Sequence, residues 1–192
     1  RMLRKFKQWF SNEEIDSLIR PFFSGNLAKR TRLEREMIQL NDGSFLKASI
    51  ASVSDISDIL EIETLCYNGK TPWNKKALEQ EIKTNNQAIY LIVRESNMAI
   101  GFISAWLVEK ETHITNVAVI PNYQNRGIAT FLISELQKIS EHEGMQKISL
   151  EVRVSNDTAQ RLYAELGIQK GKIKIDYYTG DKEDALEMSK FI

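Results

Sequence analysis

The sequence predicts an α/β protein with a mixed sheet of the α+β kind, in which helices cover the faces of a sheet of parallel and antiparallel strands. Three observations favour this class. Strand-like and helix-like hydrophobic periods follow each other along the chain, their lengths suit one domain, and glycine, proline and asparagine turns separate them. The 192 residues carry 26 basic and 26 acidic side chains, so bulk electrostatic binding of nucleic acid is not expected. We expect a basic helical N-terminal extension at residues 1–44 and one domain at residues 45–192.

The extension is rich in basic and aromatic residues. Ser11 and Glu14 form a capping box that predicts a first helix, which ends at Pro21. A second helix is predicted from about Asn26 to Leu40, because leucine and methionine recur there at helical spacing. The pair of helices could pack on the domain or act as an arm that docks on a ribosome or a membrane. Packing is the simpler interpretation.

In the domain, the period of the apolar residues changes from element to element. Alternation predicts strands, a spacing of three or four predicts helices, and Ser52 and Asn74 stand where helices begin. The predicted strands are Leu46–Ala51, Ala88–Glu95, Ala99–Glu109, Thr112–Val119, Lys147–Val154, Ile168–Tyr177 and Ala185–Lys190. The predicted helices begin near residues 52, 74, 128 and 157, and end near residues 67, 84, 143 and 166. The predicted order is βααβββαβαββ.

A polar loop between a strand and a helix is the most informative segment. The strand Val117–Val119 breaks at Pro121, and the loop leads through Arg126 and Gly127 into a helix that begins with Ile128. Such a loop directs unpaired N–H groups and the positive end of the helix dipole at one point, which favours phosphate. An ordinary strand-to-helix turn would have the same pattern. Neither a Walker loop nor the dinucleotide fingerprint occurs.

This loop and several other segments resemble the GNAT N-acetyltransferases, in particular the RimI branch, which acetylates the N-terminal alanine of a small-subunit ribosomal protein. The similar segments are Thr71–Trp73, Asn116–Pro121, Gln124–Ala129, Leu150–Asn156, Arg161–Gly167, Tyr177–Tyr178 and Glu183–Ala185 with Met188. The resemblance runs from about Leu46 to the C-terminus and does not explain the extension. It implies the GNAT acyl-CoA N-acyltransferase fold, for which βααβββαβαββ is the usual order.

The resemblance also implies a binding site for acetyl-CoA as co-substrate. Two strands would separate beside residues 117–119 and leave backbone N–H groups for the pantetheine arm and the thioester oxygen. Asn156, placed where it can cap a helix, would contact the cofactor as well. The implied cofactor-binding residues are Val117, Ala118, Val119, Gln124, Asn125, Arg126, Gly127, Ile128, Ala129, Thr130 and Asn156.

Two residues are candidates for the chemistry of amide formation. Glu151 lies on the polar face of an alternating strand, where a solvated face or a pair with Arg153 would explain it equally well. Tyr163 belongs to an apolar helical stripe, which is typical of a core tyrosine. The resemblance implies that Glu151 accepts the amine proton, directly or through one water, and that Tyr163 donates a proton to the departing sulfur.

The acceptor groove is less well marked. Trp73, Tyr177 and Tyr178 would line it by resemblance, although aromatic residues near loops are more often plain packing. The implied partner is a protein N-terminus, that of a small-subunit ribosomal protein. We expect no direct contact with nucleic acid and no membrane association.

Three functions therefore stay open: an N-terminal acetyltransferase, an acetyltransferase for a small amine, and a coenzyme A-binding module without activity. We expect direct attack of the amine, because the sequence offers no nucleophile for a covalent intermediate and Cys66 lies in an unrelated helix. One cysteine and two histidines favour a cytoplasmic protein without a metal centre.

Overall fold

Residues 26–67, 69 and 74–192 are described by a computed structural model, and they contain five α-helices and eight β-strands. The helices are α1 (Leu27–Arg30), α2 (Ile56–Cys66), α3 (Lys75–Thr84), α4 (Ile128–His142) and α5 (Asp157–Glu165). The strands are β1 (Met37–Gln39), β2 (Phe45–Ile50), β3 (Ala88–Glu95), β4 (Met98–Val108), β5 (Glu111–Val119), β6 (Lys147–Arg153), β7 (Gln169–Tyr178) and β8 (Glu183–Phe191).

The strands form one mixed sheet, which confirms the predicted fold class. Their order is β1-β2-β3-β4-β5-β6-β8-β7, and all neighbours are antiparallel except β5 and β6. From β2 onward the elements follow the predicted order βααβββαβαββ.

The core lies where the central strands meet the longest helix. The first six residues of β3 are buried, as is most of β4, because apolar side chains occupy both faces of these strands. Helix α4 connects the parallel strands β5 and β6 and buries Leu132 and Leu136 completely. None of the helices in the described residues is both long and apolar enough to cross a membrane.

The parallel pair β5–β6 is short, and this positions the candidate site. The two strands are in register only from Glu111 opposite Lys147 to Ile114 opposite Leu150. Both then continue without pairing to each other, as far as Val119 and Arg153. On the other side of β5, the register with β4 shifts between Ser104 and Ala105, so that Thr115 has no residue opposite it. A gap therefore opens in the sheet beyond Leu150.

The helix predicted for Asn26–Leu40 is wrong beyond Arg30. The buried carboxylate of Glu135 on α4 accepts the backbone N–H groups of Glu34 and Arg35, both at 3.2 Å, and the Arg35 Nε at 2.7 Å. Amides bonded to Glu135 cannot form helical bonds to carbonyls four residues earlier, so the chain stays extended and enters β1.

The C-terminal part of the extension is joined to the domain through the sheet. Strand β1 pairs with β2 across the proposed boundary at residue 44, and the division into residues 1–44 and 45–192 stays a prediction. The helix predicted between Ser11 and Pro21 lies outside the described residues.

We predict that Glu135→Ala loosens residues 31–39 and destabilises the protein by about 1–3 kcal/mol, because it leaves two partly buried N–H groups without an acceptor. Hydrogen exchange should become faster at the amides of Glu34 and Arg35, and urea unfolding reports the stability. Glu141→Ala, which changes an exposed glutamate on the same helix, is the control. It should change neither the exchange of these amides nor the stability to urea. Unchanged exchange at residues 34 and 35 in Glu135→Ala would contradict the explanation.

Candidate active site

The gap between β5 and β6 presents backbone groups of β5 that no strand covers. The N–H of Ile120 bonds to the Ile100 carbonyl on the β4 side, at 2.9 Å. Because bonding direction alternates along a strand, Val117 and Val119 direct their backbone groups away from β4 and into the gap. The Val119 carbonyl indeed accepts the Gln124 Nε2 at 2.9 Å. The strand separation expected beside residues 117–119 is therefore present.

The loop after β5 ends in a helix whose first N–H groups are unpaired. Asn125 (φ 59°) and Gly127 (φ 80°) both have left-handed backbone, and the first helical bond runs from the Phe131 N–H to the Gly127 carbonyl. The N–H groups of Ile128, Ala129 and Thr130 thus have no acceptor within the helix. A Cβ added at Gly127 would meet no protein atom within 4 Å, so open space lies next to these donors.

Arg126 contacts an acidic side chain from the turn that precedes β2. Its guanidinium pairs with the Asp42 carboxylate and lies 5.2 Å from the centre of the Tyr123 ring. Both members of the ion pair are substantially exposed, so the pair contributes little stability and can open at low cost. An anion-binding role for Arg126 stays a prediction.

Glu151 lies on β6, one residue past the last pair with β5, and its carboxylate is 9% exposed. The Nε2 of His113 on β5 is 3.1 Å from its Oε2. The Lys174 ammonium on β7 pairs with its Oε1, and the Tyr177 hydroxyl lies close enough to interact with the carboxylate. Neither a solvated face nor a pair with Arg153 describes this environment, since the Glu151 side chain is largely buried and Arg153 pairs with Asp181 and Glu183 instead.

These contacts determine the charge of Glu151. Burial alone would raise its pKa, but the hydrogen bonds and positive charges of His113 and Lys174 outweigh burial and lower the pKa to about 2. The side chain is therefore a carboxylate at neutral pH. It is also a weaker base than a free glutamate.

Two tyrosines, Tyr177 and Tyr178, interact with this carboxylate, and a third, Tyr163, interacts with Tyr178. Tyr163 on α5 is buried, and burial raises its pKa to about 12, which keeps its hydroxyl protonated at neutral pH. Tyr177 and Tyr178 end β7 with their rings edge to face, 5.2 Å apart. The Arg153 guanidinium lies 4.0 Å from the centre of the Tyr178 ring and orients it. The structure thus brings Tyr177 and Tyr178 to Glu151, and it places Tyr163 next to Tyr178.

Two further residues were predicted for the site, Asn156 and Trp73. The Asn156 side chain caps α5 by accepting the Ala159 N–H at 3.1 Å, as expected from its place in the sequence. Its contact with a cofactor stays a prediction. Trp73 lies outside the described residues.

The sequence did not single out three side chains of the site. His113 and Lys174 are far from Glu151 in the chain, and only the sheet brings them to it. Glu63 on α2 is buried and accepts the Asn116 Nδ2 at 3.0 Å. The helical spacing could have identified Glu63, because it falls on the same face as Ile56 and Ile59.

The expectation that Cys66 lies away from the site needs correction. Its thiol donates to the Val119 carbonyl at 3.3 Å, so α2 packs directly on the open end of β5. Burial, together with the charge of Glu63, raises the pKa of the Cys66 thiol to about 11. The group is a thiol at neutral pH and therefore a poor nucleophile.

Within the described segments, no three histidine, cysteine, aspartate or glutamate side chains are grouped so that they could hold a metal ion.

Comparison with known proteins adds a family match. A model of the Acetyltransferase (GNAT) family matches residues 56–168, which is more than half of the chain and includes the gap, the loop and α5. A protein of Bacillus subtilis (strain 168), named provisionally as a [ribosomal protein bS18]-alanine N-acetyltransferase, is 34% identical over 144 residues. That alignment covers 74% of this chain and 94% of the relative.

Two crystal structures are similar in fold. The ribosomal-protein-S18-alanine N-acetyltransferase from Escherichia coli has a TM-score of 0.69 at 28% identity, over 77% of this chain and 94% of that chain. Arabidopsis thaliana NAA60 in complex with acetyl-CoA has a TM-score of 0.68 at 19% identity, over 77% of this chain and 98% of that chain.

We predict a pH-dependent loss of stability that comes from Glu151. Its folded pKa is about 2, below the ordinary value of roughly 4.3, so its ion pairs stabilise the protein above pH ~4 and are lost as the pH falls towards 2. Urea unfolding of Glu151→Gln should show a deficit of about 2–3 kcal/mol at pH 6 that shrinks by pH 3. Glu187→Gln, which removes another partner of Lys174, is the control and should show a smaller deficit. A deficit in Glu151→Gln that is independent of pH would contradict the assignment.

Proposed function

Because the chain belongs to the GNAT acetyltransferase family, we propose that it transfers an acetyl group from acetyl-CoA to the N-terminal α-amine of a protein. We propose a small-subunit ribosomal protein that begins with alanine as the acceptor. The relatives named for this activity support the choice of acceptor. With such an acceptor the protein would work in the cytoplasm.

The observation that carries this proposal is the shape of the gap between β5 and β6. The free N–H groups of Val117 and Val119 line one side of it, and Glu151 stands at the other. The unpaired helix start after Gly127 lies at the end of the same strand and suits a diphosphate. An extended ligand with an acyl group at one end and a diphosphate further along fits both features. A related fold is known with acetyl-CoA bound.

In this proposal acetyl-CoA supplies the thioester. The protein positions the amine, accepts its proton and donates a proton to the departing sulfur. The amine nitrogen forms a bond to the carbonyl carbon, the carbon–sulfur bond breaks, and the amine proton leaves. The β5 N–H groups that face the gap would stabilise the carbonyl oxygen as it gains negative charge. They need no reorganisation, because the sheet already holds them in place.

We propose that Glu151 accepts the amine proton through one water. Both of its oxygens already have partners, Lys174 and His113, which leaves a bridging water as the simplest route to the amine. An α-ammonium has a pKa of roughly 7.7–8.0, so a carboxylate with a pKa of about 2 holds its proton only briefly. The proton would then pass on to solvent.

Tyr163 is the proposed acid. Its hydroxyl is buried and its pKa is raised to about 12, so it carries a proton that it can donate to the departing thiolate. Tyr177 and Tyr178 lie beside Glu151 and would form one wall of the acceptor groove, with Trp73 as a further proposed contact.

The test of the function combines the protein with acetyl-CoA and a short peptide that begins with alanine. Mass spectrometry should find one added acetyl group, on the α-amine. Acetylation of polyamines but not of the peptide would favour a small-amine acceptor. Binding of coenzyme A without turnover on any acceptor would favour a module without activity.

We predict that Glu151→Gln and Tyr163→Phe each lower kcat on this peptide by about 100-fold, because each removes a proton-transfer group. The affinity for acetyl-CoA, measured by calorimetry, should change little. Glu187→Gln and Tyr90→Phe, which alter a neighbouring carboxylate and a buried tyrosine of β3, serve as matched controls and should keep kcat. Full turnover in either test variant would remove that residue from the mechanism.

We further predict that Gly127→Ala weakens binding of coenzyme A by about tenfold or more, because the new Cβ points into the space next to the free N–H groups. Gly167→Ala is the matched control, since Gly167 has a φ of 78° and an equally open environment at the end of α5. Both variants should lose about 1–2 kcal/mol of stability from left-handed backbone. Equal affinity in the two variants would argue against diphosphate binding at this loop.

A further inference from the structure

Glu63 is a buried carboxylate with one unused oxygen. It lies on α2 and is only 2% exposed. Its Oε1 accepts the Asn116 Nδ2 at 3.0 Å, whereas its Oε2 is buried and has no hydrogen-bond partner. An unsatisfied buried carboxylate oxygen is costly, and a folded protein rarely keeps one without a reason.

In the part of the chain that the structure describes, the groups around Glu63 provide no positive charge. Among the residues that the structure describes, no lysine, arginine or histidine forms an ion pair with it. The groups that interact with it are Cys66 of α2, Tyr67 directly after α2, Asn116 of β5 and Tyr90 of β3. Glu81 of α3 interacts in turn with Tyr90. Burial therefore raises the pKa of Glu63 to about 7, against a smaller opposing effect of the Asn116 hydrogen bond.

A chain of hydrogen bonds connects Glu63 to the candidate active site. Because the Asn116 amide donates to Glu63, its Oδ1 is left to accept, and the Tyr67 hydroxyl donates to it at 2.6 Å. The Tyr67 proton is thereby committed, and the lone pairs of its oxygen remain for an N–H donor. Tyr67 interacts electrostatically with Tyr163 and Tyr178, and Asn116 precedes Val117 at the open end of β5.

We propose that Glu63 is a specificity-determining residue: it is the buried countercharge for a cationic α-amine, which the Tyr67 hydroxyl binds in the gap between β5 and β6. The inference rests on the proposed function and deepens it, since it selects a charged amine as the bound acceptor. Glu63 acts through Asn116 and Tyr67 and is a positioning residue.

The charge of a bound ammonium and the charge of the Glu63 carboxylate are thermodynamically linked. An ammonium near Glu63 favours the ionised carboxylate, so the carboxylate must favour the ammonium by the same factor. Near pH 7 part of the Glu63 population is protonated, and binding of an ammonium would release that proton. A neutral ligand of the same shape would release none. The preference is therefore measurable without turnover.

The experiment titrates the protein, saturated with coenzyme A, with the alanine-first peptide and with the same peptide acetylated at its N-terminus. Calorimetry at pH 7 in buffers of different ionisation heat counts the protons released. Wild type should release a fraction of a proton with the amine peptide and none with the acetylated one. Glu63→Gln keeps an oxygen for Asn116 and should bind the amine peptide about tenfold more weakly, with no proton release. Its affinity for the acetylated peptide should stay within about twofold.

Two further variants keep the proposal open to refutation. Glu81→Gln changes another buried glutamate with a raised pKa, which bonds to Asn85 and Trp106 outside the chain described above. It should bind both peptides as wild type does. Tyr67→Phe should weaken binding of the amine peptide even if Glu63→Gln fails to fold, and thermal unfolding reports folding of each variant.

The outcomes separate this inference from the proposed function. If wild type acetylates the peptide but releases no proton on binding it, or if folded Glu63→Gln keeps its preference for the amine peptide, the role of Glu63 is refuted and the function stands. If wild type acetylates no peptide, both proposals fall.

Discussion

The early end of the β5–β6 pairing is the constraint on which the rest of the site depends. A parallel pair needs a crossover, and here α4 provides it and fixes where β5 ends and the loop begins. Because the pair stops at Ile114 and Leu150, the next residues on both strands face each other across a gap instead of a hydrogen bond. The sheet thus exposes backbone donors in its middle, where helices α2 and α4 pack against β5. An open edge strand would expose similar groups but would leave them hydrated.

The elements around this gap were predictable because each depends on local patterns. Asn74 and Asn156 cap helices where their positions in the sequence indicated, and the strands follow from alternation. The segment from Thr31 to Leu40 was not predictable in this way. Its apolar residues do recur at helical spacing, but Glu135, about 100 residues away, removes the amides that a helix would need. Tertiary contacts can override a periodic pattern of this length.

The same distinction applies to the site. Glu151 and Tyr163 could be named as candidates because a strand face and a helix position, together with the resemblance, pointed to them. The charge of Glu151 could not be predicted from the sequence, because it depends on His113 and Lys174, which come from two different strands. From the sequence alone Glu151 would be a half-exposed glutamate with an ordinary pKa. The sheet converts it into a buried carboxylate that remains ionised well below neutral pH.

Glu63 and Glu151 show how one site can give two identical side chains opposite properties. Both are buried, so burial raises the pKa of each, yet Glu151 ends at about 2 and Glu63 at about 7. The difference lies in their partners, because Glu151 faces an ammonium and an imidazole, whereas Glu63 faces an amide. A second cation stabilises the ionised form of a carboxylate only slightly if the carboxylate already has a cationic partner. The stabilisation is largest for a carboxylate that has no such partner. The cationic acceptor that we propose is therefore better matched to Glu63, and in the same proposal Glu151 is left to receive its proton.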